Sequence, residues 1–491
     1  MLLLALACTN ASGDTAEPFV FQDPADAVPA LRGPGGPTAS FDDDALFETC
    51  AFLDGNDKDW DHHNLVMPYR GHLVMPWAAE WGTGGLSFWE VDDPCSPVKV
   101  GETWEQYMRE THAIGFLHLP DDDPQAGDYA IVNGNLGIQV WDVSDETAPE
   151  MLTYLELPDV FYPDAYARVV LAVSWQHPWL FVAAADNGIF VLDTSTVTEP
   201  ELVTQYTFPS GLRAGGVFAL GNRLLVTSAE QTQAAMVDIS DPEHPELFAG
   251  GLFDTSDGEG QALETYHGNL AGPYALFARK EGGGGAIVYD VSDPEAPSYV
   301  QDVFVEGGNG GYVFYDEGTV FIGQSHWADV YDMSAMQDPV HLGRGVLTGD
   351  LDTITPYGNV AILSVDDDAE TDQASAVMPW SASPDTTGPT VLLTDPADGE
   401  TGVPVTARVG LGLDEVVEPS SAVAGSLRLW DASGEAVHGW GSAQENQAHY
   451  SPSEPLQPGT TYTVEALVGG LADLNGNTLA ETVTWSFTTA D

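Results

Sequence analysis

One phrase recurs along most of this chain, and it limits the possible folds more than any other feature. It reads GIQVWDVSDETAP at residues 137–149, GIFVLDTSTVTEP at 188–200, QAAMVDISDPEHP at 233–245 and GAIVYDVSDPEAP at 285–297. Looser copies are GLSFWEVDDPCSP at 85–97 and WADVYDMSAMQDP at 327–339. The spacing is roughly 40–50 residues, the range in which internal repeats build propellers or solenoids. Each copy opens on an apolar alternation such as Ile138, Val140 and Val143 and ends in a polar turn closed by Pro, the pattern of a half-buried strand running into a turn.

The acidic residue at the centre of the phrase is Asp142, Asp193, Asp238, Asp290 or Asp332, with Glu90 in the first copy. Aspartates in equivalent places could be metal ligands, but each lies in a separate repeat and a metal needs several ligands converging. Asp and Ser oxygens also accept from the backbone N–H groups of a following turn, and that structural role is the expected one. Before each phrase run two short apolar stretches, for example AIGFLHL and then YAIVNG, and after it comes a further strand such as EMLTYLELP. Four strands per repeat with no helical periodicity make one propeller blade. A last unit, at 352–358, 359–365 and 375–380, supplies three strands and lacks the turn phrase. A closed ring leaves no open sheet edge, so the missing strand is expected from FETCAFL at 47–53. The chain is therefore read as all-β, with a seven-bladed β-propeller over 45–380 closed by an N-terminal strand.

These strands and the phrase between them resemble the LVIVD-repeat family of bacterial surface proteins. The resemblance covers about residues 45 to 380, is strongest in the middle copies, and implies a propeller at a cell surface. Residues 381–389, SASPDTTGP, form a linker by composition. From 390 to 491, regular short strands separated by Gly, Pro and Asp turns argue an Ig-like β-sandwich. PADGETGVP, the tyrosine-corner segment LQPGTTY at 456–462, LADLNGNTL and the closing FTT resemble the bacterial Ig-like domains of surface proteins. That likeness implies a spacer or adhesive module. Asp473-Leu-Asn-Gly-Asn477 hints at calcium, although a turn between two strands explains it more simply.

Asp and Glu number 76 against 13 Lys and Arg, a formal net charge of −63. Such a surface repels nucleic acid and anionic lipid, which excludes both as partners. It is compatible with a salty habitat or divalent-cation binding; a solvated acidic surface on an exported protein is the expected reading. Residues 1–8 read as a lipoprotein-type signal segment: an apolar run ends in Ala5-Leu6-Ala7 before Cys8, which resembles a lipobox and implies lipidation of Cys8. The run is short, has no Lys or Arg ahead of it, and cannot span a bilayer. Residues 9–44, rich in Pro, Gly, Ala and Asp, read as a flexible stalk. An exported protein, lipid-anchored at the outer membrane or cell surface and touching the membrane only through its lipid, is the expectation. Cys50 and Cys95 remain as an even pair, so a disulfide is expected in an oxidising compartment, two free thiols being the alternative.

Alignment of the repeats places His62, His112, Arg168, Arg213, Gln261, Asn309 and Asp350 near the start of the innermost strands, at the channel mouth. Concentrating scarce positive charge there would suit an anion or carboxylate; a merely hydrated channel is the plainer reading. His62, His63 and His112 lack metal-ligand spacing. The acidic run Asp54 to Asp61 lacks the Glu that closes an EF-hand loop and contains Lys58. Residues 121–123 and 366–368 read as solvated loop charges. No nucleophile elbow, phosphate loop or metalloprotease motif is present, although a Ser/His/Asp triad need not be contiguous in sequence. No catalytic or metal residue is assigned, and no cofactor beyond calcium as an open option. The expected function is a non-catalytic surface lipoprotein whose propeller binds an extracellular protein or polysaccharide. The alternatives are a hydrolase or lyase working at the channel mouth, which rests on fold analogy, and a calcium-dependent adhesin. Convergence of His62, His112, Arg168 and Arg213 on an acidic partner would favour the enzyme.

Overall fold

In the repeat at 172–206 the apolar alternation pairs into four antiparallel strands, Ala172–Gln176, Trp179–Ala183, Ile189–Asp193 and Glu201–Tyr206, lying in sequence order across one sheet. The computed structural model describes residues 19–33, 35–53, 65–78, 83–161, 167–280, 282–370 and 372–491. Among them this four-stranded sheet recurs seven times, and two further four-stranded sheets form the C-terminal sandwich. Burial falls from the innermost strand to the outermost: Ala172–Gln176 is buried throughout, whereas Glu201–Tyr206 is half exposed. The polar residues in the fourth strand of each repeat follow from that gradient.

The repeated phrase does two things in space. Its strand carries a β-bulge against the fourth strand at the same place in six sheets, between Phe88 and Trp89, Val140 and Trp141, Val191 and Leu192, Ala235 and Val237, Val288 and Tyr289, and Val330 and Tyr331. A bulge adds local twist and turns the chain. The central aspartate then sets the turn: Asp142, Asp193, Asp238, Asp290 and Asp332 each accept the backbone N–H two residues on, at 2.7–2.9 Å. In four copies a second aspartate repeats this three residues later, at Asp93, Asp145, Asp241 and Asp293.

The last sheet runs Ala51–Leu53, Ser375–Pro379, Val360–Ser364, Thr353–Tyr357, so the outer strand comes from the N-terminal side of the chain. Cys50, whose N–H donates to Val377 O, forms a disulfide with Cys95 in the first copy of the phrase, Cα–Cα 5.1 Å. One apolar cluster joins the first, second, sixth and seventh sheets through Met67, Phe116, Phe314 and Leu363.

The sandwich packs Leu411, Tyr450, Tyr462, Trp485 and Phe487 between its sheets. Tyr462 Oη accepts from Gln457 N at 2.8 Å, which makes the tyrosine corner. This domain does not hang from a free linker; it sits on the propeller over the turns that follow the innermost strands. Arg408, 2% exposed, donates from Nε to Gln176 Oε1 at 2.6 Å, and Asp395 accepts from Asn222 Nδ2 and Arg223 Nη2. Within the linker, Ala382 O accepts from Phe41 N.

Residues 19–44, expected as flexible stalk, also lie packed. Phe21 enters the sandwich core beside Trp430, Arg32 pairs with Asp128 and Glu146, and Gly36 N donates to Tyr357 Oη. Composition marks such a segment as unable to form its own core, but one aromatic side chain, one cationic side chain and a backbone hydrogen bond lay it on a core built elsewhere.

Candidate functional site

The channel along the propeller axis is where the inner strands bring polar side chains together. The segment Arg109-Glu110-Thr111-His112 leads into the strand Gly115–Leu119, and Tyr266-His267 lie in the strand Thr265–Ala271. The register of that second strand shifts between Thr265 and Gly268. Consecutive residues of a regular strand face opposite sides; the irregularity lets both Tyr266 and His267 reach His112. His112 Nδ1 lies 2.6 Å from His267 Nε2 and 3.3 Å from Tyr266 Oη, and its Nε2 lies 2.7 Å from Glu110 Oε1. Tyr312, just before the strand Val313–Asp316, stacks on His267 with centroids 4.1 Å apart. Glu110, His112 and His267 are each no more than 2% exposed.

Electrostatics there follow from burial and from neighbours. Burial pushes the Glu110 carboxyl up, but His112 and Arg109 outweigh it and hold it below its ordinary value. Burial, reinforced by His112, keeps His267 neutral. Burial raises Asp352 to about 7, opposed by Lys280 and assisted by Asp350 and Glu110. Asp366 is pushed well up by burial and then by Glu110 and Asp352. Glu110 is therefore an ionised acceptor that orients the His112 ring, and His267 a neutral ring against it. The void beside His112, His267 and Tyr312 measures about 10 Å³, room for about one water.

One end of the channel is closed by the sandwich. Its hairpin of strands Gly439–Gln444 and Gln447–Pro452 turns at Glu445-Asn446 inside the opening. Gln444 Oε1 accepts from Trp175 N at 3.0 Å while its Nε2 donates to Val173 O at 2.8 Å. Glu445 Oε2 accepts from Asn269 Nδ2, Asn446 Nδ2 donates to Tyr315 O, and Gln447 Nε2 donates to Leu270 O. Four consecutive polar side chains thus satisfy groups on the innermost strands of three sheets. Glu445 is buried, and burial raises it to about 7 despite the Asn269 hydrogen bond.

Of the residues singled out from sequence, His112 lies in the buried group and Asp350 beside it, its backbone N–H donating to Asp367 O. The others do not join. Arg168 is exposed and lies over the Phe161 ring at 5.6 Å, Arg213 pairs with Asp186 at 2.9 Å, and Gln261 is exposed with its N–H on Asp257. Asn309 accepts through its backbone oxygen from Ser325 Oγ. Among the described residues, Arg168 and Arg213 thus meet Phe161 and Asp186 and not His112. His62, His63, the run Asp54 to Asp61 and Cys8 lie outside the described residues. Asp366, read as a solvated loop charge, instead couples to Glu110, and Asp123 accepts from Trp440 Nε1 across the domain seam. Glu110, Tyr266, His267, Tyr312 and Asp352 were not picked out from sequence. The adjacent Tyr-His pair in TYHGN was the available signal, but which of the two faces inward depends on a bulge that leaves no local mark.

A cavity of about 470 Å³ lies elsewhere: between Phe19–Gln22, the turn at 118–124, and His438 and Trp440 of the sandwich. It is a groove with aromatic walls and an acidic rim at Asp122 and Asp123.

Residues 173–207 match the LVIVD repeat, and residues 385–489 match the bacterial Ig-like domain designated Big_5. No curated protein matches the chain. Among solved structures, the periplasmic gluconolactonase of Pseudomonas aeruginosa is 12% identical with a TM-score of 0.47, covering 56% of this chain and 83% of its own. A putative 6-phosphogluconolactonase from Bacteroides fragilis is 10% identical with a TM-score of 0.45, covering 64% and 96%. The computationally designed Ika8 protein is 12% identical with a TM-score of 0.44, covering 68% and 99%. Likeness at this level says nothing of activity. The chain is a β-propeller with an LVIVD repeat at 173–207, carrying a C-terminal bacterial Ig-like domain at 385–489.

Proposed function

We propose that this protein is a non-catalytic binding scaffold of the cell envelope, exported and lipid-anchored through Cys8, that recognises an extracellular protein or polysaccharide on its outer surface. The observation that carries the reading is the closed channel. Among the described residues, the group of Glu110, His112 and His267 is buried, with a void of only about 10 Å³ beside His112 and His267. A substrate pocket needs about 300 Å³ or more. The groove between the turn at 118–124 and the sandwich has that capacity, and its Trp440 and Phe19 suit the apolar face of a sugar ring or an aromatic side chain. An acidic repeat protein built from a propeller and an Ig-like domain fits such a role.

Two assays on the full chain test this. Affinity capture from the native cell envelope should recover a ligand whose retention falls in Trp440→Ala and is unchanged in His267→Ala. Turnover of any glycan, ester or lactone that is lost in His267→Ala would overturn the reading in favour of a hydrolase or lyase.

A further inference from the structure

The seam between propeller and sandwich gathers carboxylates from four separate stretches of chain. Asp316 ends the strand Val313–Asp316, Asp385 lies in the linker, Glu415 follows the strand Val409–Leu413, and Asp473 opens the turn at 473–477. One oxygen from each of Asp385, Glu415 and Asp473 lies within 4.8 Å of the other two. Glu415 and Asp473 are each 2% exposed. Together with Asp316 and Asn475 they line a void of about 10 Å³.

Charge repulsion alone would drive such groups apart, and they are held instead. Asp473 Oδ1 accepts from Asn475 N and Asn477 N, its Oδ2 accepts from Asn477 Nδ2, and Asp385 Oδ1 accepts from Thr387 N. These bonds fix the carboxylates as outer partners fix metal ligands. Glu415 is different: its Oε1 is buried and has no hydrogen-bond partner. Buried polar atoms nearly always have one, and this one belongs to a cluster of like charge. Burial first, then Asp316, Asp473, Glu317 and Asp385, push Glu415 up to about 12; burial and Asp385 raise Asp473 to about 8.

We propose that Asp385, Glu415 and Asp473 hold one divalent cation of the calcium class, which ties the start of the Ig-like domain to its turn at 473–477 beside the seam with the sixth blade. The donors are all oxygen, which suits a hard cation and not zinc, whose sites favour nitrogen and sulfur. Two ligands about 2.3–2.6 Å from a calcium ion stand up to about 5 Å apart, and calcium tolerates irregular geometry completed by water, whereas magnesium demands a tight octahedron. The site sits beside the domain seam, where Val416 N donates to Asp316 Oδ1 and Glu317 N to Asp414 O. It goes beyond the scaffold reading and stands or falls without it.

The test uses the full chain, stripped with chelator and returned to neutral buffer with enough salt to screen diffuse counter-ion binding. Calorimetric titration with calcium chloride should show one saturable site, and the melting temperature should rise with the logarithm of calcium concentration. Glu415→Gln should abolish the saturable site while raising the melting temperature of the chelated protein, since it removes the cost of holding a buried carboxyl protonated at neutral pH. Asp385→Asn, at a half-buried position, should weaken binding at least about tenfold and guards against a folding defect in the first variant. The proposal is overturned if no saturable site is found, if magnesium binds as well as calcium, or if both variants bind calcium as the parent does.

Discussion

Asp128 illustrates what a single carboxylate does in a chain with so few cations. It accepts from Tyr69 Oη at 2.7 Å and Arg70 Nη1 at 2.6 Å, meets His118 Nδ1 at 2.8 Å, and pairs with Arg32. Burial raises its value, but His118, Arg70 and Tyr69 outweigh that and hold it at about 2. Its contribution to stability is therefore present above the ordinary carboxylate range and lost as pH falls through about 2. Asp128→Asn, which keeps the shape and removes the charge, should cost about 3 kcal/mol in urea unfolding and release the segment at 19–33 to proteolysis. The repeat-turn aspartates are worth less each: Asp290→Ala removes one bond to Ser292 N and should cost about 1 kcal/mol. Those turns were legible in the sequence because donor and acceptor are two residues apart. Most partners of Asp128 were not: His118 faces it across the hairpin of strands Gly115–Leu119 and Gly127–Gly134, but Arg32, Tyr69 and Arg70 come from distant stretches that only the assembled ring brings together.

At the scale of elements, the closing strand was legible for a topological reason: a ring with three strands in its last sheet needs a fourth, and few stretches were free to supply it. The strand is shorter than the sequence pattern suggested, Ala51–Leu53 within 47–53: Phe47, at φ 67°, breaks the extended backbone, although Phe47 N and Cys50 N already donate to Pro379 O and Val377 O. Cys50 and Cys95 are 45 residues apart, so loop-closure entropy assigns their bond about 4 kcal/mol. Cys50→Ser/Cys95→Ser should lower the unfolding free energy by up to about that amount and fray the junction of the first and last sheets, read as faster amide exchange at Ala51–Leu53. The hairpin that enters the channel was invisible beforehand. Its residues, Gln444-Glu445-Asn446-Gln447, look like an ordinary polar turn, and nothing in their spacing says that each will meet an inner strand.

For the whole molecule, the dominant facts are the charge of −63 and the number of carboxylates that folding places against one another. Burial raises Glu445 and Asp352 to about 7, Asp473 to about 8 and Glu415 to about 12. Each folded value lies above the unfolded one, so the folded state favours the protonated form and stability declines as pH rises through these values. The buried histidines His177 and His449, lowered by burial to about 3, act oppositely, but only below their unfolded value of about 6.5. The melting temperature should therefore fall between pH 6.5 and pH 9 in chelator, and a flat or rising profile would show that these carboxylates are not buried as described. The central claim is that the Ig-like domain is seated on the propeller and closes its channel. If so, backbone amides of the propeller that donate to sandwich atoms, Arg70 to Glu418 Oε2, Trp175 to Gln444 Oε1 and Glu317 to Asp414 O, are shielded from water. Native-state hydrogen exchange of the full chain should find all three strongly protected, and protection should be lost at Trp175 first in Gln444→Ala. Exchange of these amides at the rate of an open turn, in the unmodified protein, would contradict the account and return the Ig-like domain to a free spacer.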